Sequence, residues 1–121
     1  IAAVQHCIRA HRFRDERENP QTIEARVLFD ADKLDAIGAR GVLRALAYAL
    51  ARGNPAYARP SEQFLATGQL QLGEIHSAYH EYVFKLVKLK ERMYTPTGRL
   101  LAEQRHAVMA AYFEQLRSES E

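Results

Sequence analysis

The stretch whose reading decides the fold is Ile75-His76-Ser77-Ala78-Tyr79-His80-Glu81-Tyr82-Val83-Phe84-Lys85-Leu86-Val87-Lys88-Leu89-Lys90-Glu91-Arg92-Met93. Within it Ile75, Tyr79, Tyr82, Leu86, Leu89 and Met93 recur at alternating steps of four and three residues, an apolar stripe along one side of a helix. Val83 and Val87 widen that stripe. The spacing predicts one helix from Glu74 to Met93, stopped at Tyr94-Thr95-Pro96. Thr95 suits a cap, and Pro96 suits the first helical position, where its missing N–H costs nothing. The helix that follows is expected to run to Arg117, with Leu101, Val108, Met109, Tyr112, Phe113 and Leu116 on its inner face. The acidic tail Ser118-Glu119-Ser120-Glu121 meets the negative end of the macrodipole and is expected to fray. Two such stripes bury each other when their helices pack antiparallel.

Upstream the pattern is again helical. Ala2 to Phe13 reads as a first helix, stopped by the polar stretch Arg14 to Pro20. Asn19 is the expected cap of a second helix over Pro20 to Ile37, ended by Gly38. Gly41 to Ala51 reads as a third, ended by Gly53-Asn54-Pro55. The segment Gly53 to Gly73 is irregular, with exposed Tyr57 and Phe64 and a short helix over Ser61 to Ala66. It reads as a lid or a connector. No apolar–polar alternation is long enough to prefer a strand. The expected architecture is an all-α, compact helical bundle of about five helices.

Composition narrows the function classes. A chain of 121 residues fits one domain over residues 1–121. Lys and Arg number 17 against 15 Asp and Glu, a net charge of +2, which argues against dedicated nucleic-acid binding. Disorder is excluded by 47% hydrophobic and 26% charged residues. The single cysteine, Cys7, leaves no internal disulfide and points to a reducing, cytoplasmic compartment. No apolar run approaches the roughly 20 residues that span a bilayer, so no membrane partner is expected. The chain opens on Ile1, not Met, which reads as the C-terminal part of a longer protein.

Two segments look unlike packing. In His6-Cys7-Ile8-Arg9-Ala10-His11-Arg12-Phe13-Arg14, the two histidines diverge by about 140° on a helix and do not share a metal. His11 falls with Val4, Cys7 and Ile8 on the apolar side. It is either a hydrogen-bonded core residue or an imidazole facing a polar site. Arg12 and Arg14 are either solvated or phosphate-binding through the guanidinium fork. In Asp30-Ala31-Asp32-Lys33-Leu34-Asp35-Ala36-Ile37-Gly38, Asp32 and Asp35 share a face beside the strip Val27, Ala31 and Leu34. Carboxylates buried there need a metal, an arginine or several hydrogen bonds, so an ion pair or cap and a functional site both remain open. His76 and His80 are four apart with Glu81 beside them. Ser77 stands where the zinc-protease pattern needs Glu, so chance spacing is the plainer reading.

Within these segments Ile8-Arg9-Ala10-His11-Arg12-Phe13 and Asp30-Ala31-Asp32-Lys33-Leu34-Asp35-Ala36-Ile37-Gly38-Ala39, with Lys85-Leu86-Val87-Lys88-Leu89-Lys90, Met93-Tyr94-Thr95 and Ala102-Glu103-Gln104-Arg105, resemble the HD-domain metal-dependent phosphohydrolase superfamily, in particular its small soluble bacterial members. The resemblance covers most of the chain. In that superfamily a His, an adjacent His-Asp pair and a distant Asp hold a divalent metal. Asp32 matches the distant Asp and inherits the role of metal ligand. His11 matches a histidine facing the site, the catalytic candidate. Lys33, Asp35 and Lys85 follow as substrate-binding candidates, beside Arg12 and Arg14 from the guanidinium reading. No His-Asp dipeptide occurs here, so the other ligands are expected upstream.

The resemblance implies a hydrolase acting on a phosphate ester or nucleotide phosphoanhydride, inactive as this fragment. Its cofactor is a divalent metal ion: Mn, Mg, Fe or Zn. The metal supplies water activation and polarises the phosphoryl oxygen. The partner is then a small-molecule phosphate or nucleotide. The competing reading is a non-enzymatic all-α interaction or dimerisation module, with the stripes seaming a homodimer.

Overall fold

The computed structural model describes residues 1–11 and 19–121. Among them are six α-helices and one 3₁₀ segment, and no strand: α1 (Ala2–Ala10), α2 (Ile23–Leu34), α3 (Gly38–Ala51), α4 (Glu62–Thr67), α5 (Ala78–Phe84), the 3₁₀ segment (Leu86–Arg92) and α6 (Pro96–Ser120). The all-α expectation is met. The long α6 packs against α3, α2, α5 and the 3₁₀ segment, while α1 lies against α2.

The stripe chosen from the sequence is the core, but its helix is broken twice. It begins only at Ala78, because the Ser77 hydroxyl caps it by accepting from the His80 N–H at 3.2 Å. Ile75, outside the helix, is 60% exposed rather than buried. At Lys85 the backbone leaves the helix (φ −117, ψ −56) and continues as 3₁₀. With three residues per turn, Leu86 and Leu89 still point the same way, and both are buried. Tyr82 stacks on Phe113 of α6 at 4.6 Å between ring centres, 13° from parallel.

Thr95 and Pro96 start α6 as expected, with Thr95 Oγ1 accepting from the Gly98 N–H at 2.9 Å. Its inner face is Gly98, Ala102, Met109 and Phe113. Val108 and Tyr112, assigned inward from the sequence, are exposed because they fall on the flank of that stripe. The acidic end does not fray: α6 reaches Ser120, and the Glu121 carboxylate accepts from Tyr57, from Arg59 at 3.2 Å and from Arg117 at 3.3 Å. The two guanidiniums offset the unfavourable dipole.

Other boundaries move for local reasons. Thr22, not Asn19, caps α2, accepting from the Ala25 N–H at 3.1 Å. That helix ends at Leu34, and α3 begins at Gly38, earlier than expected. Gly38 has φ +75, and a Cβ there would stand 2.9 Å from Arg105 Cβ of α6. Glycine therefore serves both the turn and the approach of α6. Arg105 then donates to the Leu34 carbonyl at 2.8 Å, tying the end of α2 to α6. Phe64 on α4 is buried, not exposed, with its ring 4.6 Å from His80 and 5.5 Å from Phe84. The expected extension of the first helix to Phe13 falls outside the described residues.

Candidate functional site

The packed face of α2 is Ala25, Phe29, Asp30, Lys33 and Leu34. Of the packing strip read from the sequence, Leu34 is buried, but Val27 and Ala31 are exposed. Asp30 is thus the buried carboxylate, and its burial is fully compensated. Its Oδ1 accepts from the Tyr94 N–H at 2.9 Å, and its Oδ2 from the Thr95 N–H at 2.8 Å and the Thr95 hydroxyl at 2.7 Å. A Cβ at Gly98 would stand 2.3 Å from Asp30 Oδ2, so only glycine lets α6 come this close. Asp30 positions the start of α6 against α2, with both carboxylate oxygens engaged.

Asp32 is not inside. Its side chain is 48% exposed, with Oδ2 2.9 Å from Lys33 Nζ. The expectation of a buried Asp32 is corrected by the rotation of α2, which turns Asp30 and Lys33 inward. Lys33 is nearly fully buried yet satisfied. Its ammonium donates to Asp32 and, at 2.8 Å, to the His11 carbonyl, and it lies 5.0 Å from the Phe29 ring centre. A cation at the C-terminal end of α1 is also favoured by the helix dipole. His11 is half-buried, and its Nδ1 bonds the Ile8 carbonyl. His11, Asp32 and Lys33 are therefore drawn into one cluster where α1 meets α2.

The other candidates lie elsewhere. Arg12 and Arg14 fall outside the described residues. Asp35 is not deep in a long helix: it is the exposed C-cap of α2, and its carbonyl accepts from Arg44 at 3.2 Å. Lys85 is the C-cap of α5, 3.5 Å from Glu81. Val4 and Ile8 of α1, grouped with His11 on an apolar side, are 61% and 55% exposed. His6 accepts from the Gln21 N–H at 2.8 Å and so holds α1 to the approach to α2.

The pair His76 and His80 is not a metal pair. His80 is fully buried, with Nδ1 2.8 Å from Ser77 Oγ and Nε2 2.8 Å from Glu74 Oε2. Glu74 also accepts from the Ser61 N–H at 2.8 Å, the Ser61 hydroxyl at 2.6 Å and the Gln71 N–H at 2.7 Å. Burial pushes its carboxyl up, but the bonds from Ser61, Gln71 and His80 outweigh that and hold it at about 2. Ser77, His80 and Glu74 have the residue types of a hydrolytic triad. Ser77 and His80 are sealed from solvent, however, so the trio is a clasp fastening the 61–77 segment to α5. The sequence offered the three residues at steps of three but no sign of Ser61. The His76 imidazole, half-buried, is held low by burial and by neighbouring His80.

Metal fit follows from these donors. Among the described residues no three His, Cys, Asp or Glu side chains converge on a common point. Asp32 is a single donor, and this set alone does not make a metal centre.

No family model matches the chain. It is 39% identical over 116 residues to the Bacillus subtilis protein YpgQ, a match covering 93% of this chain and 49% of that protein. The crystal structure of YpgQ matches with a TM-score of 0.73 at 38% identity, over 98% of this chain and 53% of that one. YpgQ is also known in complex with ADP. A Lactobacillus plantarum protein gives a TM-score of 0.74 at 33% identity, over 98% of this chain and 57% of that one. A Bacillus thuringiensis protein described as an HD-superfamily hydrolase gives 0.63 at 33% identity, over 81% of this chain and 46% of that one. The fold is HD-like. The chain spans about half the length of the curated relative it matches. No helix among the described residues is long and apolar enough to cross a membrane.

Proposed function

We propose that the whole protein containing this chain is a metal-dependent phosphohydrolase of the HD type. Its substrate is a phosphate ester or a nucleotide phosphoanhydride. The observation that carries this reading is the cluster at the junction of α1 and α2. There Lys33 Nζ bridges the His11 carbonyl and the Asp32 carboxylate at 2.8 and 2.9 Å, with Asp32 open to an approaching ligand. The likeness to an HD-superfamily hydrolase supports it. ADP bound to YpgQ supports a nucleotide as the substrate class.

In this reading Asp32 contributes one metal ligand, and the remaining ligands come from outside the described residues. Lys33 sets the position of Asp32 and adds positive charge beside it. His11 faces the substrate, and Arg12 and Arg14 are phosphate contacts. Asp35 and Lys85 bound the substrate side.

The test is Asp32→Ala in the whole protein. Metal-stimulated phosphate release is expected to disappear while helicity by circular dichroism is unchanged, since the side chain is half-exposed. Unchanged turnover removes Asp32 from the site. His11→Gln is expected to reduce turnover more than His6→Gln, because His11 lies in the cluster with Lys33 and Asp32 whereas His6 is bonded to Gln21.

A second reading, a helical interaction module, is favoured by one observation. Val4 and Ile8 of α1 and Val27 and Leu28 of α2 are 40% to 61% exposed. Stoichiometric metal in the purified whole protein decides for the hydrolase; a metal-free dimer with no turnover decides for the module.

A further inference from the structure

The pair α1 and α2 carries two apolar rows that the core does not use. On α1, Ile1, Val4, Ile8 and His11 recur at steps of three, four and three, from its N-cap to its C-cap. Ile1, Val4 and Ile8 are all more than half exposed. On α2, Leu28 and Ala31 are three apart, with Val27 beside them, and all three are exposed. Asp32 stands about 40° around the helix from Leu28. Lys33 joins the two rows where they end, donating to the His11 carbonyl and to Asp32. The open side of α2 is also acidic: Glu24, Asp32 and Asp35 are exposed on it. The two cations of α2 are turned away, Lys33 inward and Arg26 to the Pro20 carbonyl and the Tyr94 ring.

We propose that these two rows form one intramolecular interface, covered by an amphipathic helical segment of the whole protein outside these 121 residues, with Lys or Arg flanking its apolar positions. Steps of three and four are those of a helix-packing seam, and a helix that stays in water carries polar residues there instead. Length supplies the occupant: the match to YpgQ covers 93% of this chain but 49% of that protein, and the Lactobacillus plantarum structure 98% against 57%. Charge argues against a second copy. A two-fold dimer sets the same surface against itself, so Glu24, Asp32 and Asp35 would meet their own kind with no cation of α2 between them. A different segment with basic flanks meets the acidic side with opposite charge. His11 and Asp32 then stand at a seam between two parts of one polypeptide, and the surface around them is complete only when both are present.

The experiment measures maleimide labelling of Ile8→Cys and Leu28→Cys in the native whole protein, read at each site by peptide mass spectrometry. Leu43→Cys on α3, 68% exposed, is the open reference. Ile8→Cys and Leu28→Cys are expected to label at least about tenfold more slowly than Leu43→Cys, and all three alike in urea. If Ile8→Cys does not fold, Ala31→Cys reads the same interface with a smaller change. Native rates within about twofold of the reference overturn the proposal. Protection that is lost on dilution, with a dimer in sedimentation, also overturns it, in favour of a second copy. Ile8→Ala removes contacts already half in water within these 121 residues, yet in the whole protein it is expected to lower the urea midpoint. An unchanged midpoint counts against the interface. Turnover enters none of these readouts, so the interface and the hydrolase reading fail separately.

Discussion

Helices α1 and α6 are both apolar along part of their length, yet they meet opposite fates. The inner face of α6 closes on the core, where Met109 and Phe113 are fully buried. In α1 the only buried residue is Ala10, while Val4 and Ile8 stand more than half exposed. The difference lies in partners. α6 is flanked by α2, α3, α5 and the 3₁₀ segment, whereas α1 is set against α2. Amphipathicity thus records that a face has been shaped for burial, not what buries it. The two aspartates of α2 repeat the contrast two residues apart: Asp30 is sealed and three-fold bonded, Asp32 is open.

The contrast predicts a graded set of effects. Phe113→Ala removes a fully buried ring stacked on Tyr82, and a loss of about 3–5 kcal/mol is expected from urea unfolding. A loss below about 1 kcal/mol would mean that α6 is not the keystone described. Next comes Asp30→Ala, which strands the Tyr94 and Thr95 N–H groups and is expected to cost about 2–3 kcal/mol. Its neighbour variant Asp32→Ala is expected to stay within about 0.5 kcal/mol, and similar losses for the two would erase the distinction between the aspartates.

Glu74 gives a pH-dependent effect. Its carboxyl titrates at about 2 in the fold against an ordinary 4.5, so its contribution is complete above 4.5 and is lost as pH falls toward 2. Glu74→Gln is expected to flatten the acid limb of the stability curve in that window; parallel curves for variant and wild type would disprove the clasp. Smallest of all, Ile8→Ala is expected to change stability by no more than about 0.5 kcal/mol, because more than half of the side chain is already in water.

Much of this was legible in the sequence. Thr95-Pro96 marked the start of α6, and the four-and-three spacing found Tyr79, Tyr82, Leu86 and Leu89, because caps and periodicity are local signals. The breaks at Ser77 and Lys85 were not legible. A serine inside an apolar stripe reads as helix interior until one knows that its hydroxyl takes the His80 N–H. Phe64 looked like a loop aromatic because its cover, His80 and Phe84, comes from a distant segment. The resemblance picked out Asp32 and His11, and the structure brings their neighbourhoods together through Lys33. The inward turn of Asp30 depended on residues more than sixty positions away.

That bond between Asp30 and the Tyr94–Thr95 peptide makes the intervening chain a measured span with both ends fastened. Within it, the 3₁₀ stretch before Thr95 has no spare length: one added residue would either pull the carboxylate off its donors or rotate α6 by a third of a turn. The turn between α4 and α5 is fastened in the same way: Leu72 and Gly73 reach into solvent, but the Gln71 N–H donates to the Glu74 carboxylate at 2.7 Å and the Glu74 N–H to the Gln71 carbonyl at 2.9 Å. Insertions and deletions in this fold should therefore stay out of both the run from Leu86 to Thr95 and the turn around Leu72.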